Sequence, residues 1–233
     1  MDNFGDVGVE LHGHVALVEM QRPPYNFFDR ELVGSLADAF EYLDRLDECR
    51  ALVLAAQGKA FSAGANFQEA SGTGLFATDP DHSAEGLYAH ALRLFATRKP
   101  IVGAIQGPAV GGGLGLSLVA DFRVVCEKSR FAANFFKLGV HAGFGISHVL
   151  PRIIGVQKAS LLLYTGRRID GREAMEIGLA DIFCPADELR DTAMGLAAEI
   201  AEAAPLAVES TRETLRQGLV DGVREQLQRE FSE

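Results

Sequence analysis

The chain has 233 residues, 48% hydrophobic and 23% charged, with 25 glycines, a globular make-up that excludes collagen-like, disordered and disulfide-scaffold architectures. A formal charge of −10, from 22 basic and 32 acidic residues, argues against a general nucleic-acid or anionic-membrane binder but leaves room for a small anion held by local cations. At roughly 150 residues per domain, this length fits one large domain, or one with an appendage, able to bury a core without metal or disulfide support.

The opening residues, Met1 to Asp6, are acidic where a signal peptide is basic, and no uninterrupted apolar run reaches membrane-spanning length. His14 to Met20 alternates like a half-buried strand and stops at Pro23-Pro24. Asp29 reads as an N-cap, after which Leu32, Val33, Leu36, Phe40, Leu43 and Leu46 recur at helical spacing. Ala51 to Ala55, Ile101 to Ile105 and Phe122 to Val125 are continuous apolar runs of strand length, the pattern of buried parallel strands. Such alternation of strand and helix predicts an α/β core built from right-handed crossover units.

Towards the C-terminus, Asp170 opens a helix that Gly178 closes, and 187–204 and 205–217 read as two further helices. Arg224 to Glu233 is polar and reads as a fraying tail. The expected division is a core over residues 1–185 and a helical extension over 186–233, an appendage of the kind that packs on neighbouring subunits. Cys49, Cys126 and Cys184 are odd in number and form no CxxC pair, which points to reduced thiols and a cytoplasmic setting.

Two glycine-containing loops each follow an expected parallel strand, where open α/β sheets bind ligands. The first runs from Gly58 to Phe67; the second, Gly107 to Gly115, contains Gly111-Gly112-Gly113. A dinucleotide fingerprint fails because its last glycine falls on Leu116, and no Gly-Lys-Ser/Thr follows. Either the glycines serve only tight packing, or they leave backbone N–H groups free at a helix N-terminus to hold an oxyanion.

Ser62-Ala63-Gly64-Ala65 after one strand, with Gly111-Gly112-Gly113 opening a later helix, resembles the enoyl-CoA hydratase/isomerase family, the crotonase superfamily. The resemblance takes in Arg22-Pro23-Pro24-Tyr25-Asn26, Arg98 to Gly107, Ala120 to Arg123, and Thr165 to Ala180, in family order from about Leu11 to about Leu215. It implies a crotonase-like core of repeated ββα/βαβ units, an acyl-CoA thioester substrate with coenzyme A entering as part of that substrate, and no permanently bound cofactor. It further implies an oxyanion held by the backbone N–H groups of Ala65 and Gly112, and a homotrimer or homohexamer completed by C-terminal helices. Ala63, Ala65, Asn66 and Phe67 would receive the coenzyme, Gly112 the thioester, and Lys59, Arg22 and Lys99 are the nearest cations in sequence.

The chain also departs from the resemblance. The two glutamates of hydratases fall on Gly115 and Phe135, and the aspartate of dehalogenases and dienoyl-CoA isomerases falls on Gly143. A standard two-glutamate hydration is therefore not expected. His141 is the first choice for proton transfer because histidine titrates near neutrality. Asn134 is a candidate for orienting water or the acyl group, and Phe135, Phe136 and Phe144 for an apolar acyl pocket. His90 ranks below His141; His148 reads as a packing residue, and Glu69 as an exposed acid at a helix start. His12 and His14 share a strand face in this reading but lack further ligands, so no metal site is expected. Three readings stay open: an acyl-CoA enzyme with altered acid/base groups, a catalytically silent acyl-CoA binder, and a scaffold whose glycines only pack.

Overall fold

A computed structural model describes residues 2–65 and 84–233. The N-terminal segment forms strands β1 (Asp2–Phe4), β2 (Val7–His12) and β3 (Val15–Met20), paired antiparallel in sequence order. Helix α1 (Arg30–Asp44) begins where the sequence places it, with Asp29 Oδ1 accepting the Leu32 N–H at 2.9 Å. Strand β4 (Ala51–Ala56), helix α2 (Ala84–Phe95) and strand β5 (Ile101–Ile105) follow, then β6 (Pro108–Val110), the short helix α3 (Gly112–Ser117) and β7 (Phe122–Val125). After β8 (Arg130–Ala132) a 3-10 turn spans Asn134–Leu138. Helices α4 (Ile146–Ile154) and α5 (Val156–Thr165), strand β9 (Arg168–Asp170), helix α6 (Gly171–Glu176) and strand β10 (Ile182–Phe183) complete the middle of the chain. Helices α7 (Leu189–Glu202), α8 (Pro205–Leu215) and α9 (Leu219–Ser232) close it.

The continuous apolar runs become the interior of a seven-stranded sheet of order β1-β2-β3-β4-β5-β7-β10, in which β3, β4, β5, β7 and β10 run parallel. Their runs are apolar on both faces because both faces are covered. On one side lies the larger core, with Leu32, Leu36 and Phe40 of α1 against Val18, Leu52 and Leu54 of the sheet. On the other, α7 lays Leu189, Ala193, Ala197 and Ala201 against Val15, Val53, Val102, Ala104 and Val124. Alanine at every fourth position lets that helix lie close to the strands. The second half of the chain thus helps cover the sheet within its own fold.

A smaller sheet, β6-β8-β9, and the first two strands have short or glycine-interrupted sequences without a clear period. His12 ends β2 and His14 precedes β3, so the two flank the turn at Gly13 and do not share one strand. Among the described residues, no three His, Cys, Asp or Glu side chains group as metal ligands, and no helix is long and apolar enough to cross a membrane. All three cysteines are buried and unpaired.

Asp121, after α3, ties α8 to the sheet. Its carboxylate accepts Arg212 Nε at 2.8 Å, Arg216 Nη1 at 2.9 Å and the Ile101 N–H at 2.8 Å. The C-terminal segment expected to fray is instead a docked helix. Leu219, Val223, Leu227 and Glu230 of α9 are buried, at spacings of four and three, while charged residues separate them. A polar average hides a narrow apolar stripe. Leu227→Ala should therefore cost about 2–5 kcal/mol in urea unfolding; a loss below about 0.5 kcal/mol, the size of a surface substitution, would mean that α9 is not part of the core.

Candidate active site

The first loop is held by a short segment ahead of α1. Asn26 is fully buried, and its Nδ2 donates to Gln57 O at 2.6 Å and Ala60 O at 2.8 Å while its Oδ1 accepts the Arg22 N–H at 3.0 Å. Pro24 O accepts from Lys59 and Ala60, and Tyr25 O from Ala63. Ser62 Oγ donates to Asn26 O at 2.8 Å and accepts the Gly64 N–H at 3.2 Å. The loop after β4 is thereby fixed before any ligand is considered.

The same loop is then joined to the loop after β5. Ser62 donates to Pro108 O at 3.1 Å, and Val110 donates back to Ser62 O at 3.0 Å. Ser62 and Ala109 form a parallel bridge between these exchanged bonds. Close approach requires glycine at the second loop: a Cβ at Gly113 would lie 2.1 Å from Ser62 O, and one at Gly112 would lie 2.0 Å from Phe28 Cζ. Gly112 N sits 3.5 Å from the position of a Cβ on Gly64, the residue before Ala65. The Gly111 N–H donates to Ala132 O, whereas no acceptor among the described residues engages the N–H of Ala65 or Gly112.

The structure brings Ala63, Ala65 and Gly112 into this one junction. Asn66, Phe67 and Glu69 lie outside the described residues. Asn134 Oδ1 is 3.4 Å from a Cβ position at Gly111, and Phe135 Cζ is 3.8 Å from it, so both border the second loop. Phe144 is buried, its ring 5.4 Å from Phe28 and 6.4 Å from Phe95. It fills the space beside Gly115, where a Cβ would lie 2.8 Å from Phe144 Cδ1, whereas Phe136 is largely exposed.

Of Lys59, Arg22 and Lys99, Lys59 alone is exposed without a side-chain partner among the described residues. Arg22 is engaged by Asp6 at 2.5 Å and Asp29 at 2.6 Å. Lys99 is buried and its ammonium donates to Leu43 O and Leu46 O, neutralising carbonyls at the end of α1. It therefore cannot face an outside anion.

The histidines separate by environment. His141 is exposed, with Nδ1 2.7 Å from Ala142 O. His90 packs on Gly34 of α1 and lies 2.9 Å from Arg93 Nη1; burial and the neighbouring arginines push its pKa down. His148 rests on Gly222 of α9 with Nε2 buried and unpartnered, the packing role expected of it, and burial lowers its pKa.

Sequence reasoning missed Asn26 and Ser62 as loop supports, Phe28 as the wall of Gly112, and a carboxylate on α9. Glu230 is buried and accepts the Gly145 N–H at 2.9 Å and the Ser147 hydroxyl at 2.9 Å, at the start of α4. Burial raises its pKa to about 7 against these hydrogen bonds. No local signal marks such a residue, because its partners are far away in the chain.

A family model for enoyl-CoA hydratase/isomerase matches residues 10–232. The chain belongs to that family. It is 36% identical over 224 residues to a Thermus thermophilus protein named "Putative enoyl-CoA hydratase", covering 91% of this chain and 86% of the relative. It superposes on an enoyl-CoA hydratase/isomerase from Pseudoalteromonas atlantica with a TM-score of 0.85 at 30% identity, covering 97% of this chain and 88% of that one. An enoyl-CoA hydratase from Bacillus anthracis gives a TM-score of 0.85 at 29% identity, with 97% and 90% covered. The crotonase-type α/β fold expected from the motifs is thus the fold of this family member.

The raised pKa of Glu230 makes stability depend on pH with a defined sign. The native carboxyl binds its proton more tightly than the unfolded one, so its contribution is complete below about pH 4.5 and lost as pH rises through about 7. Urea unfolding at pH 5 and pH 8 should show Glu230→Gln gaining on the parent family member as pH rises. A difference that stays constant across that range would remove Glu230 as a buried titrating group.

Proposed function

We propose that this family member is an acyl-CoA enzyme in which the backbone N–H groups of Ala65 and Gly112 hold the thioester oxygen as it gains negative charge. The observation that carries the reading is the hydrogen-bonded junction of the two loops, beside which both N–H groups lack an acceptor among the described residues. Fixed amides suit this task because they need no protonation and do not reorganise as charge develops. Coenzyme A would lie along Ala63, Ala65, Asn66 and Phe67, with the exposed Lys59 meeting its phosphates. The committed partners of Arg22 and Lys99 argue against both as phosphate ligands.

Phe28, Phe135 and Phe144 favour an apolar acyl group. The Phe144 ring beside Gly115 leaves no room there for a carboxylate, so two-glutamate hydration is not supported, and isomerisation, decarboxylation or thioester hydrolysis fit as well. The same observation favours, as a second reading, a catalytically inactive acyl-CoA-binding member. Leu206 and Leu215 of α8, 80% and 77% exposed, support assembly of copies into a trimer or hexamer. Three buried unpaired thiols are in keeping with a reducing, cytoplasmic setting.

Short, long, branched and aromatic acyl-CoAs should raise the melting temperature, as linkage requires of a ligand that binds the native state. In D2O the enzyme should exchange the hydrogen on the acyl α-carbon or convert the substrate. Ala65→Pro deletes one donor and should lower that rate by about 10²–10³ while binding persists. Binding with neither exchange nor product would select the inactive reading, and no stabilisation by any acyl-CoA would reject both.

A further inference from the structure

Phe144 and Gly145 present consecutive backbone N–H groups, each turned toward a side chain from a distant helix. The Phe144 N–H favours the charged form of the Tyr88 hydroxyl on α2, and the Gly145 N–H bonds the carboxylate of Glu230 on α9 at 2.9 Å. Both residues have left-handed backbones, φ 63° and 71°, which brings the two N–H groups to the same corner. The Tyr88 hydroxyl lies 2.7 Å from where a Cβ on Gly143 would stand, and Phe135 Cε1 lies 3.8 Å from the same point. The same edge of the Phe135 ring borders Gly111, next to Gly112, with Cζ 3.8 Å and Cε1 4.0 Å from a Cβ position there. One edge of a single phenyl ring therefore touches both the thioester-binding loop and the residue against which the tyrosine hydroxyl rests.

The geometry points to Tyr88 as the proton-exchanging group of the acyl site, with Glu230 as the positioning residue that holds the Phe144–Ser147 turn and so aims the hydroxyl. This inference rests on the acyl-CoA reading given above. In the forward direction the electron pair of the enolate forms a new C–H bond with the Tyr88 proton. The O–H bond breaks and leaves its electron pair on the phenolate oxygen, facing the Phe144 N–H. The thioester carbonyl re-forms, and water re-protonates the phenolate. In reverse, the phenolate removes the α-proton and the electron pair moves onto the thioester oxygen at Ala65 and Gly112.

The electrostatics agree with the geometry. Burial and the Glu230 charge push the Tyr88 pKa up to about 12, so at neutral pH the hydroxyl keeps its proton. Glu230 is faced by Tyr88 from α2, by His141 from the loop before α4, and by Ser147 from α4. Also between α4 and α9, His148 interacts with Arg152 and Glu225.

The test is α-deuterium exchange of butanoyl-CoA, or of whichever acyl-CoA in the series binds tightest, followed from about pH 6 to 10 with binding measured in parallel. Tyr88→Phe should lower exchange by about 10²–10⁴ and leave acyl-CoA affinity within about threefold. Exchange should rise with pH as phenolate forms, with a flattening near pH 7 as Glu230 ionises, and Glu230→Gln should abolish that flattening. Exchange by Tyr88→Phe within about threefold of the parent, or an unchanged flattening in Glu230→Gln, overturns the inference. If Tyr88→Phe does not fold, the Glu230→Gln profile decides alone. A parent that binds acyl-CoA without exchange overturns the role of Tyr88 and leaves the binding reading intact; a parent that binds none removes the reading beneath it.

Discussion

Everything at the site depends on a few backbone hydrogen bonds between two loops that are far apart in sequence. Ser62 gives its N–H to Pro108 and takes one from Val110, so the chain after β4 and the chain after β5 share one short parallel ladder. Backbone pairing of this kind excludes side chains from the junction, and Gly113 meets that demand because a Cβ there would overlap Ser62 O. The adjacent amides at Ala65 and Gly112 are then left over by geometry: their neighbours are consumed in holding the loops together. A site made from main-chain groups inherits its precision from the sheet below it.

The supports around the junction are layered by distance. Asn26 and Ser62 fix the first loop through buried hydrogen bonds, each of which would leave an unsatisfied polar group if one partner were removed. Phe28, Phe144 and Phe95 form an aromatic row that backs the second loop, and α9 closes that row from outside through Glu230 and the Gly145 N–H. The chain's last helix is thereby coupled to the corner that carries Phe144. The space that a side chain at Gly115 would need is already filled by the Phe144 ring.

Much of this was legible in the sequence, and the limits are physical. Ala51 to Ala55, Ile101 to Ile105 and Phe122 to Val125 announced themselves because a parallel strand covered on both faces must be apolar throughout. Asp29 and Asp170 marked helix starts because a short side-chain acceptor at a cap is a local matter, and both accept backbone N–H groups as expected. Helix α9 was misread because three apolar residues among many charged ones suffice once a neighbour covers them. Lys99 looked like a surface cation in sequence, yet its ammonium ends on two carbonyls contributed by another part of the chain. Tyr88 and Glu230 carried no signal at all, since their significance comes from meeting residues 144 and 145 in space.

The proposed chemistry requires two amides on separate loops to act together on one thioester oxygen. Titrating ¹⁵N-labelled protein with a tight-binding acyl-CoA and following the amide resonances of Ala65 and Gly112 tests it most directly. Both resonances should move downfield, in parallel, along one binding curve, as amides do on gaining a strong acceptor. Movement of only one of them, or of neither while the rest of the pocket responds, would contradict it.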